Sequence, residues 1–184
     1  MKNAALIAIA EAVETNHQSI IDANAEDLEN AKSNGMDFHV RDRMTLNDSR
    51  VKDMADAARS ISKLEDPIGE ILEQRNLPNG LHLERVRVPI GVIGVIYESR
   101  PNVTIDIATL CLKSGNAVIL RGGKECILTN TTLAAIVKEA IGSTEIPRDV
   151  FQFVESTDRT LVKEMLQMDD AIDFMIPRGS AELV

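Results

Sequence analysis

The stretch VPIGVIGVIYESRPNVTIDIATLCLKSGNAVILRGGKE, residues 88–125, decides the fold of this chain. It contains two apolar runs, VIGVIY at 92–97 and AVILR at 117–121, which are separated by a helical pattern over about 103–113. Runs that are apolar on both faces and are joined by helices are typical of a parallel sheet covered on both sides. The stretch therefore predicts the core of an α/β nucleotide-binding domain.

The same alternation continues towards the C-terminus. The apolar runs VFQFV (150–154) and IDFMI (172–176) follow helical patterns at roughly 125–141 and 158–168. Because such crossovers are right-handed, the pattern predicts a three-layer, Rossmann-like α/β fold. In it, four parallel strands carry helices on both faces. We assign residues 88–184 to this domain.

The N-terminal third of the chain carries helical patterns. Apolar residues recur at helical spacing from 3 to 31, which predicts two helices or one helix interrupted near Asn16. A second helical block covers about 47–63, with Thr45 and Asn47 as candidate caps. We therefore expect an N-terminal helical segment before the sheet.

Residues 70–88 change to a β-compatible pattern. Two runs flank Pro78-Asn79-Gly80, where Asn-Gly supplies the positive φ angles that a tight hairpin requires. The pattern predicts a β-hairpin. We assign residues 1–87, the helices together with the hairpin, to a segment that packs on the α/β domain.

Composition excludes several classes of protein. With 184 residues, 44% hydrophobic and 27% charged, the chain has the proportions of a globular protein. Its net charge of −9 argues against a non-specific nucleic-acid binder, which needs Lys and Arg against phosphates. No apolar run reaches the roughly 20 residues of a membrane span, and the N-terminus lacks a signal-peptide pattern. We expect a cytoplasmic protein without nucleic-acid or membrane partners.

The cysteines and histidines do not form a recognisable metal or redox motif. Cys111 and Cys126 lie in apolar, helix-like sequence without CxxC spacing, and we interpret them as buried thiols. His17, His39 and His82 are scattered along the chain, without a cluster of cysteines or carboxylates beside them. We therefore predict no metal site.

Ligands in an open α/β sheet bind at the carboxyl ends of the strands, so the residues after each apolar run are candidates. These tips are residues 97–102, 121–124, 155–157 and 177–180. The tip Arg121-Gly122-Gly123-Lys124 suits a nucleotide phosphate, because glycine backbone approaches closely and the cations supply charge. In the alternative interpretation, these glycines form only a turn and the two cations are solvated.

Two further patterns are interpreted as structural. Gly91 and Gly94 in PIGVIG lack the third glycine of a dinucleotide fingerprint, and they precede or lie within the predicted strand. We interpret both as packing positions. The acidic pair Asp169-Asp170 is interpreted as a solvated pair near a helix end.

Residues 88–125 closely resemble the signature of the γ-glutamyl phosphate reductase family, also called glutamate-5-semialdehyde dehydrogenase, within the aldehyde dehydrogenase superfamily. The resemblance continues through ANAEDLENAKSNGM (23–36), DPIGE (66–70) and IPRGS (176–180), so it covers essentially the whole chain. It implies an aldehyde dehydrogenase-like fold. It also implies an oxidoreductase of proline biosynthesis that uses NADPH to reduce L-glutamyl 5-phosphate, releasing phosphate and glutamate 5-semialdehyde.

The chain also departs from the family pattern. Family members are more than twice as long, and their cysteine nucleophile lies in a second domain that would follow Val184. Cys111 and Cys126 do not match that nucleophile, since each lies in the cofactor domain. The resemblance thus implies an N-terminal, cofactor-binding piece, and we expect residues 1–184 alone not to catalyse the full reaction.

The resemblance assigns cofactor contacts to two strand tips. Arg121 matches the superfamily lysine that reaches the adenosine ribose, and Gly122-Gly123 would pass the cofactor on their backbone. Lys124 stands where many NAD-using relatives place a glutamate for the ribose hydroxyls, so a cation there should favour the 2′-phosphate of NADP. Gly179-Ser180 match the Gly-Ser that opens a helix against the pyrophosphate.

The tip after the first strand is assigned to substrate and catalysis. Asn102 resembles, at a shifted spacing, the asparagine whose amide helps to stabilise the oxyanion of the reaction. Ser99 and Arg100 are candidates for contact with the substrate's phosphate or carboxylate, although Arg100 is equally a candidate structural partner of Glu98. The implied substrate is a small molecule, L-glutamyl 5-phosphate.

A function from a different class stays open at this point. Because the cysteine nucleophile is absent, the chain is also compatible with a non-catalytic nucleotide-binding or assembly module. Consumption of NADPH by the isolated chain separates the two functions. The sequence does not decide whether the chain forms a homo-oligomer.

Overall fold

A computed structural model describes residues 1–179 of the chain. It contains helices, a hairpin and a four-stranded sheet. In chain order the elements are α1 (Lys2–Thr15), α2 (His17–Ser33), α3 (Phe38–Met44), α4 (Asp48–Ser62), β1 (Ile71–Asn76), β2 (His82–Val86), β3 (Val92–Tyr97), α5 (Val103–Lys113), β4 (Ala117–Arg121), α6 (Ile127–Gly142), β5 (Phe151–Phe153), α7 (Thr160–Met165) and β6 (Phe174–Arg178). No helix in the described part of the chain is both long and apolar enough to cross a membrane.

The four-stranded sheet is parallel and has the order β5-β4-β3-β6. β3 is central, because β4 pairs along one of its edges and β6 along the other. The strand order therefore reverses between β3 and β6, which makes this position the topological switch point of the sheet. The predicted parallel sheet is confirmed. β6 starts two residues after the predicted run 172–176, since Ile172 packs below the sheet before the strand begins.

Helices cover both faces of the sheet, as predicted. Side chains alternate along β3, so that Ile93 and Val95 face the core shared with α5 and α6, whereas Ile96 packs on Met165 of α7. The second face carries the smaller helix. α7 has 6 residues, shorter than the predicted 158–168.

The N-terminal helices form an outer layer over α5 and α6. Leu6, Ile9 and Val13 of α1 are fully buried in the same core as the sheet residues. Asn16 separates α1 from α2, as the spacing predicts, and the side chain of Asn47 accepts a hydrogen bond at the start of α4. The fold therefore has an additional helical layer on one side of the three predicted layers.

A buried polar network fixes α2 to the start of α6. Asp27 accepts hydrogen bonds from the backbone N (2.8 Å) and Oγ1 (2.6 Å) of Thr129, and Asn24 Oδ1 accepts one from Leu46 N (2.7 Å). Burial raises the pKa of Asp27, and the hydrogen bonds from Thr129 oppose that shift. This network positions the N-terminal end of α6, which follows the tip of β4.

The hairpin is present, but its turn differs from a two-residue Asn-Gly turn. Gly80 has a φ of +86°, whereas Asn79 does not adopt a positive φ. Leu77 N donates to Leu81 O (2.8 Å) and Gly80 N to Leu77 O (2.9 Å), which closes a three-residue loop at 78–80. All residues of β1 and β2 are exposed.

Candidate functional site

The carboxyl ends of β3, β4 and β6 lie at one end of the parallel sheet, where three cavities adjoin one another. The α7 cavity, of about 300 Å³, lies between the tip of β4 and the loop before α7. The central cavity, of about 260 Å³, lies between the tips of β3 and β6. The α4 cavity, of about 440 Å³, lies between α3, α4 and the start of α5. Glu98 lines the first two cavities, and Arg43 and Arg100 line the last two.

Arg121 lines the α7 cavity and is held rigidly. Its side chain is buried, and Nη2 donates to the backbone oxygens of Asp158 (3.0 Å) and Thr157 (3.4 Å). Its Nε is also buried, and it has no hydrogen-bond partner within residues 1–179. Burial lowers the pKa of Arg121, with Arg159 adding to the effect. The alternative interpretation, in which the side chain of Arg121 is solvated, is therefore wrong. The guanidinium of Arg121 is fixed, and its Nε donates no hydrogen bond within residues 1–179.

The two glycines after Arg121 are explained by close packing. A Cβ at Gly122 would clash with the side-chain amide of Asn130, and one at Gly123 would clash with the carboxylate of Glu125. Neither glycine adopts a positive φ, so a left-handed turn does not account for them. Lys124 follows them and is exposed at the cavity.

The tips of β3 and β4 are joined by one carboxylate. Ser99 has a φ of +48°, and both its backbone N (2.6 Å) and its Oγ (2.9 Å) donate to Glu125 Oε1. A serine in the left-handed region is strained, and these two hydrogen bonds compensate for the strain. Sequence reasoning assigned Ser99 to substrate and missed Glu125. The only available signal was an acidic residue directly after the RGGK tip.

Asn102 stands at the start of α5 and lines the α4 cavity. Its Nδ2 donates to Asp106 Oδ2 at 2.9 Å, one turn further along the helix. Burial raises the pKa of Asp106, while the hydrogen bond from Asn102 and the charge of Arg178 oppose that shift. One proton of the Asn102 amide is thereby committed, and the other is free to point elsewhere.

The three cavities differ in charge, and the lining of the α7 cavity holds three cations and two glutamates. The central cavity is lined by three arginines and one glutamate, in addition to Ser99 and Gly179: Arg43, Arg100, Arg178 and Glu98. The α4 cavity is lined by three arginines and three aspartates: Arg43, Arg50, Arg100, Asp42, Asp53 and Asp106. The central cavity is thus suited to an anion, and the α4 cavity to a group that carries both charges.

The remaining predicted positions are placed as follows. Gly179 lines the central cavity beside Ser99 and Arg100, and Ser180 lies outside the described residues. Cys111 and Cys126 are buried, as interpreted. Burial raises the pKa of Cys111 to about 11 and also raises the pKa of Cys126. Neither thiol is therefore poised to act as a nucleophile, because the reactive species is the thiolate.

Comparison with known sequences gives close relatives. The chain matches the family model described as "Aldehyde dehydrogenase family" over residues 2–183. The γ-glutamyl phosphate reductase of Escherichia coli O81 (strain ED1a) is 50% identical over 182 residues, which is 99% of this chain and 44% of that protein. The enzyme of the same name from Escherichia fergusonii is 49% identical over the same coverage. The chain thus spans less than half the length of these relatives.

Solved structures agree with the sequence matches. The γ-glutamyl phosphate reductase of Thermotoga maritima superposes with a TM-score of 0.96 at 42% identity, covering 99% of this chain and 44% of that chain. The enzyme of the same name from Saccharomyces cerevisiae gives 0.92 at 36% identity, covering 99% and 46%. A probable aldehyde dehydrogenase from Listeria monocytogenes gives 0.76 at 16% identity, covering 100% and 37%, and shows a likeness of fold alone.

The family match extends over almost every residue described above, including the parallel sheet, its switch point and the strand tips that line the cavities. The resemblance drawn from residues 88–125 is therefore confirmed, and so is the predicted fold class. The chain belongs to the aldehyde dehydrogenase family.

Proposed function

We propose that this chain supplies the NADP-binding part, and one wall of the substrate site, of a cytoplasmic oxidoreductase. The reaction is the NADPH-dependent reduction of L-glutamyl 5-phosphate to L-glutamate 5-semialdehyde in proline biosynthesis. Relatives that are 50% identical over 99% of the chain are named γ-glutamyl phosphate reductase, which supports this substrate. The observation that carries the cofactor assignment is Arg121, which is fixed by two backbone oxygens and lines the α7 cavity beside Lys124 and Arg159.

The α7 cavity fits part of a phosphorylated nucleotide. Its volume of about 300 Å³ is at the lower end of the range for ligand pockets, roughly 300–1,000 Å³. Arg121, Lys124 and Arg159 line it together with Glu98 and Glu125, so its lining holds three cations and two carboxylates. Arg121 is already oriented by two backbone carbonyls, so its guanidinium is positioned to attract a phosphate in this cavity.

The central cavity supports a site for the acyl phosphate. Arg100 and Arg178 provide positive charge. Gly179 lies beside them, and its backbone is not covered by a side chain. Asn102 lines the adjoining α4 cavity at the start of α5, and one of its amide protons does not bond to Asp106. In the proposal, that proton stabilises negative charge that develops on the carbonyl oxygen. The bound cofactor would supply a hydride, and the chain's own residues would bind and orient the reactants.

Fluorescence titration tests the cofactor proposal. The chain contains no tryptophan, so the emission of bound NADPH can be followed without a tryptophan background. We expect saturable binding of NADPH and weaker binding of NADH, because the cations of the α7 cavity attract the additional phosphate. Absence of NADPH binding by a chain with an intact circular dichroism spectrum would contradict the proposal. Steady consumption of NADPH by residues 1–184 in the presence of substrate would contradict the proposal that this chain supplies only the cofactor-binding part and one wall of the substrate site.

A further inference from the structure

The α4 cavity is the largest of the three cavities at the strand tips, and the proposed cofactor and phosphate sites do not use most of it. Its charges balance, with three aspartates against three arginines. A balanced lining does not favour a phosphate, which the central cavity suits better. It favours a zwitterion, in which an ammonium group and a carboxylate stand on the same carbon.

We propose that the α4 cavity binds the α-amino-acid end of the substrate, with Asp53 and Asp106 receiving the α-ammonium group and Arg43 receiving the α-carboxylate. The inference rests on the proposed function and deepens it, since it names the residues that distinguish an amino acid from a plain dicarboxylate. Arg43 and Arg100 line both the α4 cavity and the central cavity. A single extended substrate can therefore reach both, with its phosphate in one and its amino-acid end in the other.

Arg43 is available for a carboxylate. It is exposed on the last turn of α3, and its side chain makes no hydrogen bond or ion pair within residues 1–179. Arg50 is different, because its Nη1 donates to the backbone oxygens of Asp42 (2.7 Å) and Thr45 (2.5 Å). Arg50 thus fixes the turn between α3 and α4.

The two aspartates provide acceptors at different depths. Asp53 is exposed on α4 and makes no side-chain hydrogen bond or ion pair within the described part of the chain. Asp106 is half-buried on α5 and already accepts a hydrogen bond from Asn102. An ammonium group carries three donors, so it can bind both carboxylates at once.

The test compares L-glutamate with glutarate, which lacks only the amino group. Both are titrated into the ¹⁵N-labelled chain, and amide shifts are followed in α3, α4 and the start of α5. We expect L-glutamate to bind about tenfold more tightly than glutarate, because hydrogen bonds to charged groups contribute on that scale. Asp53→Asn should reduce this preference, and Arg43→Gln should weaken both ligands alike.

Asp169→Asn is the matched control, since it removes the same charge from an exposed position outside all three cavities and should change nothing. Equal affinity of the unaltered chain for L-glutamate and glutarate would overturn the inference, as would shifts confined to other regions or no binding at all. NADPH is titrated into the same samples. If the chain binds NADPH but does not prefer L-glutamate over glutarate, only the amino-acid site is refuted. If the unaltered chain does not bind NADPH, the proposed function is refuted.

Discussion

Arg121 and Lys124 stand three residues apart on the same strand tip but have different physical roles. The guanidinium of Arg121 is buried and bonded to the loop before α7, so its replacement would disturb that loop as well as any ligand. Lys124 is exposed and makes no side-chain hydrogen bond or ion pair within residues 1–179, so its charge can be reversed with little cost in stability. Lys124 is therefore the better residue for a test of cofactor preference.

We predict that Lys124→Glu weakens NADPH selectively. Loss of one charged contact to the 2′-phosphate costs about 1.5–3 kcal/mol, which corresponds to roughly tenfold or more in affinity. NADH lacks that phosphate, and its affinity should change little. Fluorescence titration of both cofactors provides the measurement, with Lys63→Glu as a control for the same charge change on an exposed lysine elsewhere. An equal loss for both cofactors would show that Lys124 does not read the 2′-phosphate.

Single residues also show where sequence reasoning stops. The RGGK tip was visible as a candidate site, because its residue types and its place after an apolar run carry the signal. The bond from Ser99 to Glu125 was not visible, since it joins residues 26 positions apart through a side chain. The same limit applies to Arg43 and Asp53, which reach the cavities only because α3 and α4 fold back over the start of α5.

At the scale of elements, the end of α2 is marked by a glycine, a local signal that the sequence displays. Gly35 N donates to Lys32 O and Met36 N to Ala31 O, both at 3.0 Å, and Gly35 has a φ of +69°. This is a Schellman motif, in which glycine occupies the left-handed position. A glycine directly after a helical pattern is a stop signal that can be read from the sequence. The sequence did not reveal α3, a 7-residue helix whose start is capped by the side chain of Asp37.

Gly35→Ala should destabilise the protein through backbone strain alone. Nothing lies within 4 Å of a Cβ built at Gly35, so no clash accompanies the change. The left-handed conformation costs an alanine about 1–2 kcal/mol, and we expect the free energy of unfolding to fall by about that amount. Urea denaturation measures it. Ser33→Ala, at an exposed helical position two residues earlier, should leave stability unchanged or slightly raised.

The hairpin of β1 and β2 should be the least protected sheet in the molecule. Every one of its strand residues is exposed, whereas β3 is largely buried. Few buried apolar contacts therefore oppose its local opening. In native-state hydrogen exchange, we expect amides of 71–76 and 82–86 to exchange well before those of 92–97. Comparable protection in both sheets would mean that another surface covers the hairpin in solution.

At the scale of the whole molecule, the sheet presents an open edge. β6 pairs with β3, and no strand within the described residues pairs with its other edge. Phe174 on this strand is 52% exposed. Exposed apolar edge strands promote association between chains. The net charge of −9 opposes association at pH 7, and this repulsion vanishes near the pI of about 4.9.

Phe174→Lys should reduce association as the pH falls towards the pI. A lysine on an edge strand disfavours pairing with a second chain, and it also removes an exposed aromatic surface. Light scattering between pH 7 and pH 5 provides the measurement. Gln167→Lys makes the same change in net charge at an exposed position outside the sheet, so it controls for charge alone. Equal effects of the two substitutions would exclude the strand edge as the cause.

The outer helical layer has a consequence for the order of events during synthesis. α1 is synthesised before the helices that bury it, since its buried face packs on α4, α5 and α6. The side chain of Lys113 also bonds to Asn3 Oδ1 (2.7 Å) and Ser62 O (3.1 Å), across 110 and 51 residues. The apolar side chains of α1 must therefore stay unburied until α4, α5 and α6 have been synthesised. During that interval, chaperones or a transient pairing of α1 with α4 would have to shield it.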